Sequence, residues 1–514
     1  MSDLSTNASP DLSGRERLTW NAAVSWAAQL VSIVVGFLMP RFIHENLGQT
    51  TLGIWDFGWA LVSYLSLINF SVGANASKFV AQFAPRGEYE RLSRIMASAN
   101  LIQVGIALLL AAGVVVLYHH VLDLFPEGTL EEEPHVREVV LLLGFSLSLQ
   151  MLTDACRGVI TGLHRWDAHN AINTLHSVLA AVGMMIALFT DHGILSLGAV
   201  YFIATIIAEI GRDLVCRWAC PQLSLAPRLA NVQDLRMVLS FGIKNLVILS
   251  SAVAMQQTVS ILVTARLGPA MLAVFARPTG LVRQVETFIQ RFSFMLMPTT
   301  SSLYGMGRQA EVYEFTVETS RVAWALAIPP AVYMLTLGPE LISAWMGPEY
   351  VNVPLIWIVS LGSCYSAANR VGYRILSGAD AHGLTSVIGS GIYLSALVAA
   401  VVWIGYNGGG ILAAATIYVL GDVLFHGVVV PFFLCRTLKA NSFVYLWQSG
   451  RTAVAIGFVC YGVLSLFKAY SGLSDLTLVL AGAALHGVVV LILYWRFVVS
   501  PRLKAKIVAG LFKD

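Results

Sequence analysis

The chain predicts an all-α polytopic membrane protein: about fourteen transmembrane helices, arranged as two pseudo-symmetric six-helix lobes plus two C-terminal helices. Three observations carry this expectation. Uncharged apolar runs recur, among them Leu18 to Pro40, Ile95 to Leu117, Asn245 to Ala265, Val351 to Asn369 and Gly383 to Tyr406. Each meets the ~20 residues that a helix needs to cross a hydrocarbon core of ~30 Å. Hydrophobic residues make up 57% of the 514 and charged residues only 12%, against the ~25% charged of soluble domains. Finally, the Lys and Arg residues between the runs fall on alternate connections. Lipid offers backbone groups no hydrogen-bond partner, so the runs must be helices.

In order, the spans are expected near residues 18–43, 51–77, 95–118, 137–160, 171–190, 193–217, 236–265, 269–304, 316–338, 352–376, 384–406, 409–434, 447–468 and 475–497. Connections after even-numbered spans hold the cations: Arg86, Arg91 and Arg94, then Arg165, then Arg217, Arg228 and Arg236, then Arg308 and Arg321, then Arg436, Lys439 and Arg451. The tail adds Arg502, Lys504, Lys506 and Lys513. Connections after odd-numbered spans run acidic: Tyr118 to Val136 holds Asp123, Glu127, Glu131, Glu132 and Glu133 without a Lys or Arg. Positive charge marks the cytosolic side, so both termini are expected there. The polar start, Met1 to Ser13, has no basic-then-apolar order of a cleavable signal, and the first span is expected to direct insertion.

Other classes are excluded on composition. A net charge of +3 over this length is no nucleic-acid signature. The six cysteines show no CxxC pair and no His partner at metal spacing, so they read as packing residues, and no metal or cofactor is expected. No phosphate-cradling loop of Walker type is present. No connection exceeds about twenty residues, which leaves no room for a soluble catalytic module, and the chain reads as a non-enzyme.

The sequence also repeats itself. Leu47-Gly48 closes the first span, and Leu267-Gly268 closes the seventh, 220 residues later. Gly87-Glu88-Tyr89-Glu90 after the second span is answered by the stretch from Gly307 to Glu314 after the eighth, and Thr161-Gly162 by Ser377-Gly378. Six spans per repeat return the chain to the same side, which implies parallel repeats with a substrate path between the lobes. The expected organisation is a cytosolic tail 1–17, an N-lobe 18–218, a cytosolic connection 219–235, a C-lobe 236–435, two further helices within 447–498, and a basic tail 499–514.

Leu47-Gly48, Leu52-Gly53-Ile54-Trp55, Asn69-Phe70-Ser71-Val72-Gly73 and Gly87-Glu88-Tyr89 together resemble the first hairpin of bacterial polysaccharide flippases. These form the polysaccharide transporter branch of the multidrug/oligosaccharidyl-lipid/polysaccharide exporter superfamily. Asn21 and Thr161-Gly162-Leu163 fit as well, and the resemblance extends over nearly the whole length. It implies movement of undecaprenyl-pyrophosphate-linked oligosaccharide from the inner to the outer leaflet of the cytoplasmic membrane by alternating access, for lipopolysaccharide or exopolysaccharide assembly. The implied partners are that polyprenyl pyrophosphate, membrane lipids, protons or sodium ions, and polysaccharide polymerase and assembly proteins, with no nucleic acid. A flippase for the lipid-linked peptidoglycan precursor and a cation-coupled multidrug exporter are the alternatives. A membrane-embedded glycosyltransferase or polymerase is disfavoured, because no long outer loop carries paired carboxylates or His.

Charges within spans point to the site. Each costs ~2.5–3.5 kcal/mol at the bilayer centre, so Arg277, Arg283, Glu286 and Arg291 in the eighth span represent roughly 10 kcal/mol of unfavourable insertion. That helix must face protein or water. Arg presents a planar fork to phosphate oxygens, so Arg277, Arg283 and Arg291 are the expected substrate-binding wall, with Arg41 and Lys244 contributing. Asp56, Glu209, Asp422 and His426 are the candidate ion-coupling groups. The pairs Asp154 with Arg157 and Asp422 with His426 have helical spacing for local bonding, and Arg370 and Arg374 lie at comparable depth. For the saccharide, Gln256, Gln257, Gln284, Gln290, Tyr64 and Trp59 offer polar and aromatic groups. Pro40, Pro278, Pro298 and Pro329-Pro330 are the expected sites of helix bending.

Overall fold

A computed structural model describes residues 18–68, 72–125, 135–294 and 296–499. The tails, the Asn69-Phe70-Ser71 turn and the acidic run Glu131 to Glu133 lie outside the described residues, as do the side chains of Val72, Lys244 and Pro298.

Helices α1 (Leu18–Leu65), α2 (Val72–Phe83), α3 (Tyr89–His120), α4 (Val136–Leu152), α5 (Asp154–Gly162), α6 (Trp166–Phe189) and α7 (Ile194–Ala219) carry the first six expected spans. Helices α8 (Val232–Leu267), α9 (Pro269–Phe294), α10 (Met297–Gly305), α11 (Gln309–Met346), α12 (Val353–Gly378), α13 (Gly383–Ala400), α14 (Ile411–Leu424) and α15 (Val430–Thr437) carry the next six. Helices α16 (Ser442–Tyr470) and α17 (Asp475–Phe497) are the last two. Among the described residues there is no strand. Nine helical segments there are long and apolar enough to cross a membrane, and α4 with α5, bent by 47°, makes a tenth. The long helices outside that set include α8, α9 and α12, the ones that hold Lys244, the arginines of the eighth span, and Arg370 with Arg374.

The chain divides into two compact units, Met1–Val253 and Ala254–Asp514. In unit 1, α1 packs on α6 and α4, α3 on α4, α7 on α4 and α6, and α2 on α5. Its core gathers Leu92, Ile95 and Met96 of α3 around Val159 and Ile160 of α5. In unit 2, α12 packs on α9, α11 and α14, while α16 and α17 lean on α11. There Val332 and Leu337 of α11 meet Ile456, Cys460 and Leu464 of α16 and Leu478 of α17. All six cysteines are buried thiols.

The sequence repeat has a geometric counterpart inside each unit. Gly48 sits at φ 85° and Gly268 at φ 88°, left-handed backbone that a side chain resists and that lets one helix turn directly into the next. Gly87 and Gly307 match likewise, at φ 71° and 73°. A Cβ on Gly162 would lie 2.7 Å from the Ser77 carbonyl oxygen and from Val80 Cβ, and one on Gly378 3.0 Å from the Met297 carbonyl oxygen and 2.9 Å from Thr300 Cβ. Ser77 and Met297, like Val80 and Thr300, are 220 residues apart. In both units, then, a glycine lets one helix end press on the C-terminal part of a broken second helix.

The breaks follow the proline-based expectation at one place, where α9 ends at Phe294 and α10 opens at Met297 with Pro298 in its first turn, and depart from it elsewhere. In α1 the non-helical residue is Gly48, while Pro40 lies inside the helix, and Pro278 and Pro329-Pro330 lie inside α9 and α11. Between α4 and α5 the chain turns at Thr153 with no proline nearby.

Candidate functional site

Unit 2 gathers its interior charge around Arg370 of α12. Its Nη2 stands 3.3 Å from Glu286 Oε2 on α9 and 3.2 Å from Asp422 Oδ2 on α14. The Arg370 side chain is 13% exposed and that of Asp422 5%. Asp422 also accepts from Tyr393 Oη at 2.6 Å and from Gln256 Nε2 at 3.3 Å. Five helices, α8, α9, α12, α13 and α14, therefore converge on one ion triad. Charges so buried persist only when paired and hydrogen-bonded, and Asp422 meets that condition fully.

Arg283, one turn before Glu286, is exposed, and its Nη2 donates to Tyr418 Oη at 3.0 Å. Tyr418 stands edge-on to Phe275, 5.5 Å between centroids, which fixes the phenol. Arg283 forms no ion pair among the described residues, while both nearby acids are committed to Arg370. A guanidinium has five donors, and one bond to a neutral hydroxyl leaves most of them for an anion.

The other expected contributors spread out. Arg277 is buried, 4% exposed, and its Nε donates to the Ala273 carbonyl at 3.2 Å. Arg291 is exposed on the last turn of α9. Arg41 is exposed and bonded to Glu45 one turn on, at 2.7 Å. Lys244 lies in α8, its side chain outside the described residues.

Of the expected ion-coupling groups, Asp422 and His426 do not bond each other. His426 is buried against the rings of Phe425 and Tyr373, and the partners of Asp422 come from other helices. In unit 1, Glu209 of α7 is buried, accepts from Thr153 Oγ1 at the α4–α5 break, and pairs with Arg212 at 3.3 Å. Arg212 in turn donates to Asn173 Oδ1 at 3.0 Å. Asp154, the first residue of α5, pairs with Arg157 and accepts from Gln103 of α3 at 2.7 Å. Asp56 lines a cavity of about 320 Å³ within unit 1.

Sequence reasoning noted Arg370 only as one more in-span charge and missed Tyr393, Tyr418 and Arg212. Tyrosine in an apolar span carries no signal until its hydroxyl finds a carboxylate or guanidinium far along the chain. Arg212 had one available: it follows Glu209 by three residues, the spacing that pairs Asp154 with Arg157.

No protein-family model and no curated protein sequence matches the chain. Solved structures match its fold over most of its length. An inward-facing multidrug resistance MATE family transporter of the MOP superfamily superposes with a TM-score of 0.68 at 13% identity, over 79% of this chain and 95% of that one. The lipid II flippase MurJ in an inward closed conformation gives 0.66 at 13% identity, over 93% and 98%. A MOP superfamily transporter from Pyrococcus furiosus, noted for a binding pocket of reverse polarity, gives 0.58 at 13% identity, over 83% and 96%. At such identity the likeness is one of fold: the chain has the multi-pass helical fold of MOP superfamily transporters.

Proposed function

We propose that the chain is a flippase. It carries undecaprenyl-pyrophosphate-linked oligosaccharide from the inner to the outer leaflet of the bacterial cytoplasmic membrane by alternating access, with both termini cytosolic, for lipopolysaccharide or exopolysaccharide assembly. One observation carries this reading: Arg283, on a helix packed against α11, α12 and α14, is exposed and bonded to a tyrosine hydroxyl instead of a carboxylate. A pyrophosphate concentrates negative charge that hydrocarbon will not accept, and a guanidinium binds its oxygens in a fork. Tyr418 aims the fork, Arg370 neutralises the acids that would otherwise capture it, and the exposed Arg291 lies two turns further along the same helix. The polyprenyl chain stays in lipid while the charged head and saccharide pass through protein.

The peptidoglycan precursor carries the same pyrophosphate, and the 93% coverage in the likeness to MurJ supports it as the second reading. Cation-coupled drug export is less favoured, because Glu209 and Asp422 are both committed to arginines.

Complementation of a flippase-deficient strain, read beside membrane abundance, tests the proposal. Arg283→Lys keeps the charge and loses the fork, so partial function is expected. Arg283→Gln removes charge-assisted bonds and should lower transport about ten- to a hundredfold at near-normal abundance. Full complementation by Arg283→Gln overturns the reading.

A further inference from the structure

Unit 1 contains a cavity that the charge-based reading leaves unused. It is about 320 Å³, within the ~300–1,000 Å³ range of small-ligand sites. Its walls come from both arms of α1 and from α6 and α7, and include Trp55, Asp56, Trp59, His176, Ser177 and Tyr201. By the charge-derived topology it lies in the outer half of the membrane.

The aromatic rings there form a chain of near-perpendicular contacts. Trp55 and Trp59 are 6.3 Å apart at 77°, Trp59 and Tyr201 5.0 Å at 88°, and Tyr201 and His176 5.0 Å at 78°. His176 Nε2 is anchored 3.1 Å from Thr205 Oγ1. Edge-to-face contact locks each ring and leaves π-faces as flat, rigid walls with polar handles at their edges. Between them stand the Asp56 carboxylate, an acceptor, and the Ser177 hydroxyl, which donates to the Asn173 carbonyl at 3.0 Å and keeps acceptor capacity. Flat apolar faces ringed by donors and acceptors match a pyranose, which has an apolar C–H face and a rim of hydroxyls.

We propose that this cavity is a saccharide subsite, taking one pyranose ring of the transported molecule, with Trp59 as its stacking platform. The proposal rests on the flippase reading and assigns the sugar end of the substrate to unit 1. Gly36 supplies an independent handle: it lines the cavity, and a Cβ built on it meets nothing within 4 Å. A larger side chain there enters the cavity without displacing backbone.

The test uses the full chain in lipid nanodiscs and saturation-transfer NMR with methyl pyranosides of glucose, galactose, mannose and N-acetylglucosamine, alongside tetramethylammonium. Saturation should pass to the C–H protons of at least one pyranoside. Trp59→Ala should weaken that binding about three- to tenfold, and Gly36→Leu should abolish it in protein that elutes and melts like the parent. Absence of transfer to every pyranoside overturns the proposal, as does transfer that survives both variants. Binding of tetramethylammonium that requires Asp56 and that no pyranoside displaces makes the cavity an organic-cation site and overturns it equally. Failure here is distinguishable from failure of the flippase reading: complementation by the parent chain with loss in Arg283→Gln upholds transport even if no pyranoside binds.

Discussion

Replacing Arg370 by Met removes the cation that pairs with both Glu286 and Asp422 and keeps most of the side-chain volume. At an effective dielectric of ~20, each contact near 3.2–3.3 Å corresponds to about 5 kcal/mol of attraction. The two carboxylate oxygens share one nitrogen and lie within ~6 Å of each other, so their mutual repulsion returns about 3 kcal/mol. Desolvation of three ions takes several more, and breaking a buried pair in this way typically costs ~3–5 kcal/mol, because an acid is left uncompensated. Arg370→Met should therefore lower both membrane abundance and the melting temperature in detergent. Adding Glu286→Gln and Asp422→Asn should recover most of the loss, since the neutral set leaves no unpaired charge. A parent-like melting temperature for Arg370→Met alone would refute the reasoning, and so would a triple variant no more stable than the single one.

The charge pattern and the helix packing carry further expectations. With all six native thiols buried, membrane-impermeant maleimide should label an added cysteine at Asp191 from outside intact cells and one at Glu88 only after permeabilisation; labelling of both from one side overturns the topology. Gly162→Val forces a branched side chain against the Ser77 carbonyl and Val80 and should destabilise by ~1–3 kcal/mol, read as a lower melting temperature. Gly48→Ala meets no neighbour but must adopt φ 85°, so a loss of ~1–3 kcal/mol is expected from backbone strain alone. An unchanged melting temperature in either glycine variant counts against that assignment.

The helices were legible because lipid enforces them: twenty apolar residues in a row have one way to satisfy their backbone. Leu47-Gly48 and Leu267-Gly268 were legible for a related reason, since glycine is the residue that turns at positive φ. The break at Thr153 was not, because it arises where Thr153 reaches Glu209 on another helix, a contact 56 residues away with no local mark. The same limit hid the ion triad. Helical periodicity shows that Glu286 and Arg277 face apart, but Arg370 is 84 residues from Glu286, and packing alone brings them together. Proline was a partial guide: Pro298 stands in the first turn of α10, just past the break that ends α9, whereas Pro40, Pro278 and Pro329-Pro330 lie inside continuous helices.

The short π-helical stretches Val401–Tyr406 and Phe425–Val429 both belong to unit 2, and the described helices of unit 1 hold none. Such a widened turn is an α-helix that has accommodated one surplus residue without unravelling. Where two halves of a chain descend from one pattern, surplus residues record how they parted company. Adding or removing a residue in a helix swings everything beyond it by about 100°, and a π turn confines that swing to a single point. The second stretch begins three residues after Asp422 and includes His426. A duplicated scaffold can thus re-aim the end of one helix while the aspartate just upstream keeps its partners, and one half becomes chemically unlike the other with the hairpin glycines still in place.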